Sequence, residues 1–251
     1  MNVLLTATEK GTILNYSKDA PPLYLQVKNT IKQRITGGTY PVGKAIPSEK
    51  ELQNEFNVSR ITVRKALDEL SYEGYISRQR GKGTTVMQRR FIEEKLHIDK
   101  SFTEEMKTQG VMPGTKYVSL RTVISGGNIA EALGLNPGDR VYELIRVRTG
   151  DGLPVVIFKS YINMAGVSIT KKEIEENESL YDLLHKKQKK NRIVKEIFEV
   201  LLSDEWNSKL LEIPLGSPIL KRTTEVHSEG APLLYTESFY NGYLYRHCIV
   251  Y

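Results

Sequence analysis

The chain has 251 residues, 39% of them hydrophobic, with 36 Lys and Arg against 30 Asp and Glu and a single cysteine. That length suits one or two globular domains. No apolar run nears the roughly 18–20 residues of a membrane-spanning helix, and Cys248 alone can form neither an internal disulfide nor a zinc cluster. The positive surplus is uneven: residues 1–90 hold 15 Lys and Arg against 8 Asp and Glu, whereas residues 91–251 hold 21 against 22. Such a split points to a polyanion-binding module joined to a neutral one. The N-terminus carries only a short Val3-Leu4-Leu5 cluster and no basic stretch, so no secretory signal is expected and a cytoplasmic location fits.

Residues 1–20 are polar and lack periodicity, and they are expected to form a flexible arm ending at Pro21-Pro22. Leu23, Val27, Ile31 and Ile35 then recur every four residues, one face of a helix, which Gly37-Gly38 stops. Ser48 and Glu51 form the Ser-x-x-Glu pattern of a capping box, opening a short helix with Leu52 and Phe56 inward. Ser59 caps another that runs to about Glu73, with Val63, Ala66, Leu67 and Leu70 inward and Gly74 after its end. Arg60 and Arg64 share an outward stripe with Thr62 and Lys65 nearby. Two capped helices joined by a tight turn, the second basic at its start, match a helix-turn-helix, whose second helix enters the major groove. Residues 75–86 read as a hairpin tipped by Arg80-Gly81-Lys82, small and basic enough to follow phosphates or enter a minor groove.

Pro47-Ser48-Glu49-Lys50-Glu51-Leu52, the run from Val58 to Leu67 and Gly81-Lys82-Gly83-Thr84 resemble the winged-helix domain of the GntR family of bacterial transcription regulators. The resemblance spans residues 22–87 and implies that Lys50, Arg60, Arg64 and Gly81 read DNA, with Ser59, Thr62, Arg80 and Lys82 completing the surface. Family members more often carry Arg at the position of Lys50. Lysine lacks the planar fork for bidentate contact with guanine.

Residues 88–97 read as a charged linker, followed by a second domain over 98–251 that opens with another capping box at Ser101 and Glu104. This domain contains an internal repeat. Shifted by 78 residues, Leu133, Leu135, Gly138, Val141, Gly152 and Pro154 fall on Leu211, Ile213, Gly216, Ile219, Gly230 and Pro232. Each copy reads as helix end, glycine turn, strand, Gly-x-Pro hairpin and strand, which predicts a mixed sheet of pseudo-twofold layout with helices on one face. Arg146 and Arg148 share a face of one strand. Their repeat mates are Thr224 and Val226, so the scaffold does not require arginine there. Two such arginines suit an anionic group or, with no ligand, an exposed strand face. His97, His185, His227 and His247 show no metal-ligand spacing, the lysine run 186–190 reads as a solvated loop, and Trp206, after a cap at Ser203, reads as helix packing.

Arg146-Val147-Arg148, Ser179-Leu180-Tyr181-Asp182 and the ending from Glu237 to Tyr243 are similar to the effector-binding (UTRA) domain of the HutC subfamily of GntR regulators, whose fold is like that of chorismate lyase. By residue-wise carry-over from amino-sugar-phosphate-sensing members, Ser101 and Phe102 would contribute amides, Arg146 and Arg148 a phosphate grip, and Ser179, Tyr181 and Tyr240 polar contacts. Where those members carry acidic residues this chain has Phe158 and Leu234, and Tyr243 stands in a Gly-Tyr-Leu-Tyr ending where they have Gly-Asp-Arg-Tyr.

The expected molecule is therefore an α+β protein, with a winged helix-turn-helix over 21–87 and a mixed-sheet, chorismate-lyase-like UTRA domain over 98–251. It is expected to be a cytoplasmic homodimeric repressor that binds double-stranded operator DNA and a small anionic effector, such as a phosphorylated sugar, with no catalytic set, cofactor, metal or membrane partner. The rival readings are an enzyme built on the lyase-like domain and an effector-independent DNA-binding protein.

Overall fold

The computed structural model describes residues 14–79, 83–87, 92–95, 101–165, 167–177, 179–187 and 191–248. The chain divides into two compact units, residues 1–90 and 91–251.

In the first unit, α1 (Leu23–Thr36), α2 (Glu49–Phe56) and α3 (Arg60–Tyr72) precede β1 (Ile76–Gln79) and β2 (Gly83–Val86). The capping signals work as the sequence implies. Ser48 accepts from the Glu51 amide while Glu51 reaches back to the Ser48 amide, and Ser59 accepts from Thr62. Between the two helices Asn57 takes a left-handed conformation (φ 50°), which lets the chain turn within three residues. Val27, Ile31, Leu52, Phe56, Val63, Leu67 and Leu70 close on one core with Ile76 and Val86 beneath the hairpin. The expected flexible arm is partly part of this unit. Leu14 is buried in that core, and the Asn15 amide and carbonyl both bond the Gln26 side chain, at 2.7 and 2.8 Å. An apolar residue and a reciprocal amide pair therefore hold a segment that looks featureless in sequence.

In the second unit, β3 (Ile92–Lys95) lies within the stretch expected to be a linker and pairs in parallel with β10 (Tyr245–Cys248). That pairing is with the far end of the chain, so no local pattern announces it. Between them run α4 (Phe102–Thr108), β4 (Pro113–Ile124), α5 (Gly127–Ala132), β5 (Arg140–Gly150), β6 (Leu153–Asn163), α6 (Lys171–Glu176), α7 (Leu180–Lys187), β7 (Asn191–Leu202), α8 (Glu205–Leu211), β8 (Pro218–Ser228) and β9 (Ala231–Asn241). Asp204, not Ser203, caps α8, and Trp206 packs edge-on against Phe239.

The main sheet is six-stranded in the order β4-β5-β6-β9-β8-β7, antiparallel throughout, so the parallel element of this mixed β structure is the β3–β10 pair. The 78-residue shift carries each strand of the first half onto its mate: 113–124 onto 191–202, 140–150 onto 218–228, and 153–163 onto 231–241. It also carries the β-bulges, Thr115/Tyr117 onto Ile193/Lys195 and Arg148/Thr149 onto Val226/His227. The halves meet at β6 and β9 in the centre.

Helices cover both faces, not one. At the ends of α5 and α8, Leu133 and Leu211 pack on the face of Val141, Val147 and Ile157. Helix α7 is the 78-residue mate of α4, 102–108 falling on 180–186, and α6 just before it has no helical mate. Ile174 of α6 and Leu180, Leu183 and Leu184 of α7 cover Leu144, Ile162, Val226 and Leu234 on the opposite face. That second face carries Arg146 and Arg148.

Candidate nucleic-acid interface and ligand cavity

On the first unit, Lys50, Ser59, Arg60 and Arg64 are exposed and Thr62 is half-buried, so the expected reading surface of α2 and α3 stands open. Ser59 and Thr62 share a hydroxyl contact of 2.9 Å as well as the cap. Lys65 turns away, its Nζ 3.7 Å from the Tyr24 ring centroid. Ile61 is 80% exposed beside Arg60. Arg80, Gly81 and Lys82 lie outside the described residues.

A carboxylate organises the arginines. Glu49, the first residue of α2, lies 3.3 Å from Arg60 Nε and 3.9 Å from Arg64 Nε, and it also pairs with Arg78 of β1. Arg78 in turn pairs with Asp68 on α3. Glu49 and Arg78 did not stand out in the sequence, because Glu49 reads there as ordinary first-turn acid and Arg78 as a strand residue.

On the second unit, a cavity opens between the sheet and the helices α4 and α7. Phe102 of α4, Arg146 and Arg148 of β5, and Ser179 and Tyr181 at the start of α7 line it, as does Tyr240 of β9. Six of the seven expected effector-site residues thus come together from segments nearly 140 residues apart. Ser101 does not line it. Its amide donates to Glu104 Oε2 at 3.0 Å and its hydroxyl caps α4, so the capping box occupies both groups. The cavity has a volume of about 50 Å³.

Arg146 and Arg148 are 6% and 2% exposed, which excludes the solvent-facing alternative. Arg148 is firmly held: Nε donates to the Gly114 carbonyl at 3.0 Å, Nη2 to Thr103 Oγ1 at 2.8 Å, and the guanidinium lies 5.1 Å from the Phe102 centroid. Burial, then the neighbouring Arg148 charge, pulls the Arg146 guanidinium down to about 9. Two buried cations two residues apart repel each other in a low dielectric, and an anion between them relieves both costs.

Phe158 faces the cavity and packs edge-on between Phe102 and Tyr240, with centroids 5.9 and 6.2 Å away. Leu234 is instead buried under α6 and α7, and Tyr243 is not part of the wall. Sequence reasoning missed Arg222, Ser160, Thr236 and Ser238, which complete the floor with Leu180. Arg222 escaped notice because its repeat mate is Leu144, and only the mates of Arg146 and Arg148 drew attention. Among the described residues, no Asp or Glu lines the cavity. Among the described residues, no group of three or more His, Cys, Asp or Glu is placed to hold a metal ion, and no helix is long and apolar enough to cross a membrane.

Residues 23–86 match the model of bacterial regulatory proteins of the gntR family, and residues 108–246 match the UTRA domain. The chain is similar to the HTH-type transcriptional repressor NagR of Bacillus subtilis (strain 168), 31% identical over 241 residues, 91% of this chain and 95% of that protein. It is also similar to the histidine utilization repressor of Pseudomonas putida, 30% identical over 79% of each chain. Among solved structures, PhnF from Mycobacterium smegmatis shares the fold, with a TM-score of 0.61 and 24% identity over 90% of this chain and 98% of that one.

Proposed function

The chain belongs to the gntR family of bacterial regulatory proteins and carries a UTRA domain, and from that premise we propose that a small anion, gripped by Arg146 and Arg148, releases it from operator DNA. It is a ligand-responsive DNA-binding transcription regulator, not an enzyme, and several of its relatives are named repressors. The observation that carries the anionic reading is the cavity itself: two buried arginines, the hydroxyl-bearing Ser179 and Tyr181, and no carboxylate among the described residues of the wall. An uncharged ligand would gain no charge-assisted hydrogen bond from those two guanidinium groups.

In the DNA-bound state Lys50, Arg60, Thr62 and Arg64 face the major groove, with Ser59 at the helix start, and the wing tip at Arg80, Gly81 and Lys82 follows the backbone. The working form is a cytoplasmic homodimer whose two heads read a near-palindrome. The exposed apolar edge of β7 supports dimerisation through the second unit. An effector acts by binding better to the state whose heads do not match operator spacing.

The test starts from a duplex selected out of a random pool by the wild-type protein. In fluorescence anisotropy, phosphorylated sugars added to that complex should release it from wild type but not from Arg146→Met. Release of both proteins alike would place the effector elsewhere. Indifference of the wild-type complex to every phosphate and carboxylate in the screen would remove the anionic reading.

A further inference from the structure

Strands β3 and β10 form a two-stranded parallel sheet of their own, with Tyr245 opposite Ile92 and Cys248 opposite Lys95. A ribbon of two short strands is marginal alone, and parallel pairing is the weaker kind, so its place depends on what it rests on. Two rings at alternate positions seat β10. Tyr245 stacks on Tyr240 of β9, with centroids 3.8 Å and planes 23° apart, and His247 lies 4.4 Å from the Phe198 ring of β7. Phe198 pairs with Arg222, and Arg222 with Ser238, two residues before Tyr240. Both rings therefore rest on the sheet face that carries the cavity.

Tyr240 is also part of the cavity wall, with Phe158 edge-on 6.2 Å away. One buried ring thus meets the cavity on one side and the ribbon on the other. Strand β3 starts at Ile92, just after the first unit ends at Arg90, so it is the first element beyond the winged helix. Whatever holds β3 sets how much chain tethers the DNA-binding unit. Unpairing its four residues frees up to about 13 Å of extended chain for that tether.

At about 50 Å³ the cavity has room for a few water molecules, and a phosphorylated sugar is larger, so its entry moves a wall side chain. Arg148 is braced by the Gly114 carbonyl and the Thr103 hydroxyl. A ring contact slides at less cost than those two charge-assisted bonds break. We propose that Tyr245 is the positioning residue through which effector occupancy reaches the DNA-binding unit. The effector shifts the Tyr240 ring, the Tyr240–Tyr245 stack opens, β10 loses its seat, and β3 unzips into a longer tether that no longer holds operator spacing. Coupling between distant sites needs an element with two arrangements that both ligands bias, and the marginal ribbon is that element. This inference rests on the cavity being the effector site.

The experiment uses the full chain, the selected operator duplex, and three probes: glycerol 3-phosphate, glucose 6-phosphate and glucosamine 6-phosphate. Hydrogen exchange read by mass spectrometry follows the amides of 92–95, anisotropy reads operator affinity, and calorimetry reads probe affinity. A probe that releases wild type should speed exchange in β3 by about tenfold or more. Tyr245→Leu should exchange fast without any probe and bind operator about tenfold more weakly. It should also bind the probe severalfold more tightly, because the stack is already open. A merely loosened domain would weaken probe and operator together, and that result would overturn the proposal. Tyr245→Phe keeps the ring and should match wild type in all three readings; behaviour like Tyr245→Leu would overturn the stack as the link. Release of wild type with β3 exchange unchanged or slowed would overturn the Tyr245 route without any variant and leave the effector site standing. Failure of all three probes to release wild type would remove the effector reading and this inference with it.

Discussion

Arg148 donates Nη2–H to Thr103 Oγ1 at 2.8 Å, tying strand β5 to the first turn of α4. The bond is buried, and the same guanidinium also holds the Gly114 carbonyl and faces Phe102. Arg148 therefore positions the helix that roofs the cavity as well as carrying charge into it. Removing the acceptor leaves a buried charged donor unmatched, at a cost of about 1–3 kcal/mol. Thr103→Val should lower the unfolding free energy of the second unit by that amount in urea titration, and should weaken phosphate-ester binding severalfold while operator affinity stays within about twofold. Wild-type stability in Thr103→Val would mean that Arg148 does not hold α4.

Arg146 places an unfavourable charge in the cavity wall of the effector-free protein. Its guanidinium is pulled down to about 9 by burial and then by Arg148. Above that value the folded protein gives up a proton that the unfolded chain still binds, so stability rises with pH from about 9 toward the ordinary arginine range; below it the full cost is present. Arg146→Met should therefore raise the melting temperature of the effector-free protein at neutral pH, by roughly 2–4 °C per kcal/mol of repulsion relieved. Bound anion restores the charge, so wild-type affinity for a phosphate ester should fall as pH rises through about 9, with proton uptake on binding. Calorimetry in two buffers of different ionisation enthalpy reads that uptake directly. A flat pH profile with no uptake would contradict it.

At the proposed DNA face Glu49 pairs with Arg60 and Arg64 and would compete with phosphate for them. Both arginines are more than half exposed, so their loss should leave the fold within about 0.5 kcal/mol of wild type. Arg60→Ala and Arg64→Ala should each cost about 1–3 kcal/mol of specific DNA binding. Glu49→Gln should do something different: raise affinity for unrelated duplex by removing a negative charge, and narrow the specific-to-nonspecific ratio by releasing the arginines from one geometry. Anisotropy titrations over a range of NaCl concentrations separate the two effects. An unchanged ratio in Glu49→Gln would show that the carboxylate orients nothing.

The features readable in the sequence were those written locally. Ser48, Glu51, Ser59 and Ser101 announce their helices because a cap is a three-residue interaction. The repeat is readable because its glycine turns and Gly-x-Pro hairpins recur at one spacing. Arg146 and Arg148 stand out because they break that repeat. What was hidden depends on non-local register. Counting back from the β8–β9 turn, Arg222 reaches the row of Ser238 only once the bulge at Val226/His227 is included. A one-residue error moves a side chain to the other face. The same limit hid β3, whose partner lies some 150 residues on, and α6, which has no helical mate in the repeat.

Strand β7 ends the six-stranded sheet, pairing with β8 on one side, and it is 12 residues long. Its edge is apolar where an unpartnered edge is normally charged or shortened: Val200 is 80% and Leu202 73% exposed, with Ile197 and Phe198 partly so. A second copy of this chain, related by a twofold axis, would cover the same surface on both subunits and satisfy the open strand. The double substitution Val200→Glu with Leu202→Glu should shift sedimentation from dimer to monomer while leaving the circular dichroism spectrum unchanged. Operator affinity should fall by at least a hundredfold, because the second head then binds from bulk solution instead of at the high effective concentration its partner provides. A double variant that stays dimeric would move the interface to another surface, and a wild-type chain that is monomeric at operator-binding concentrations would remove the dimer altogether.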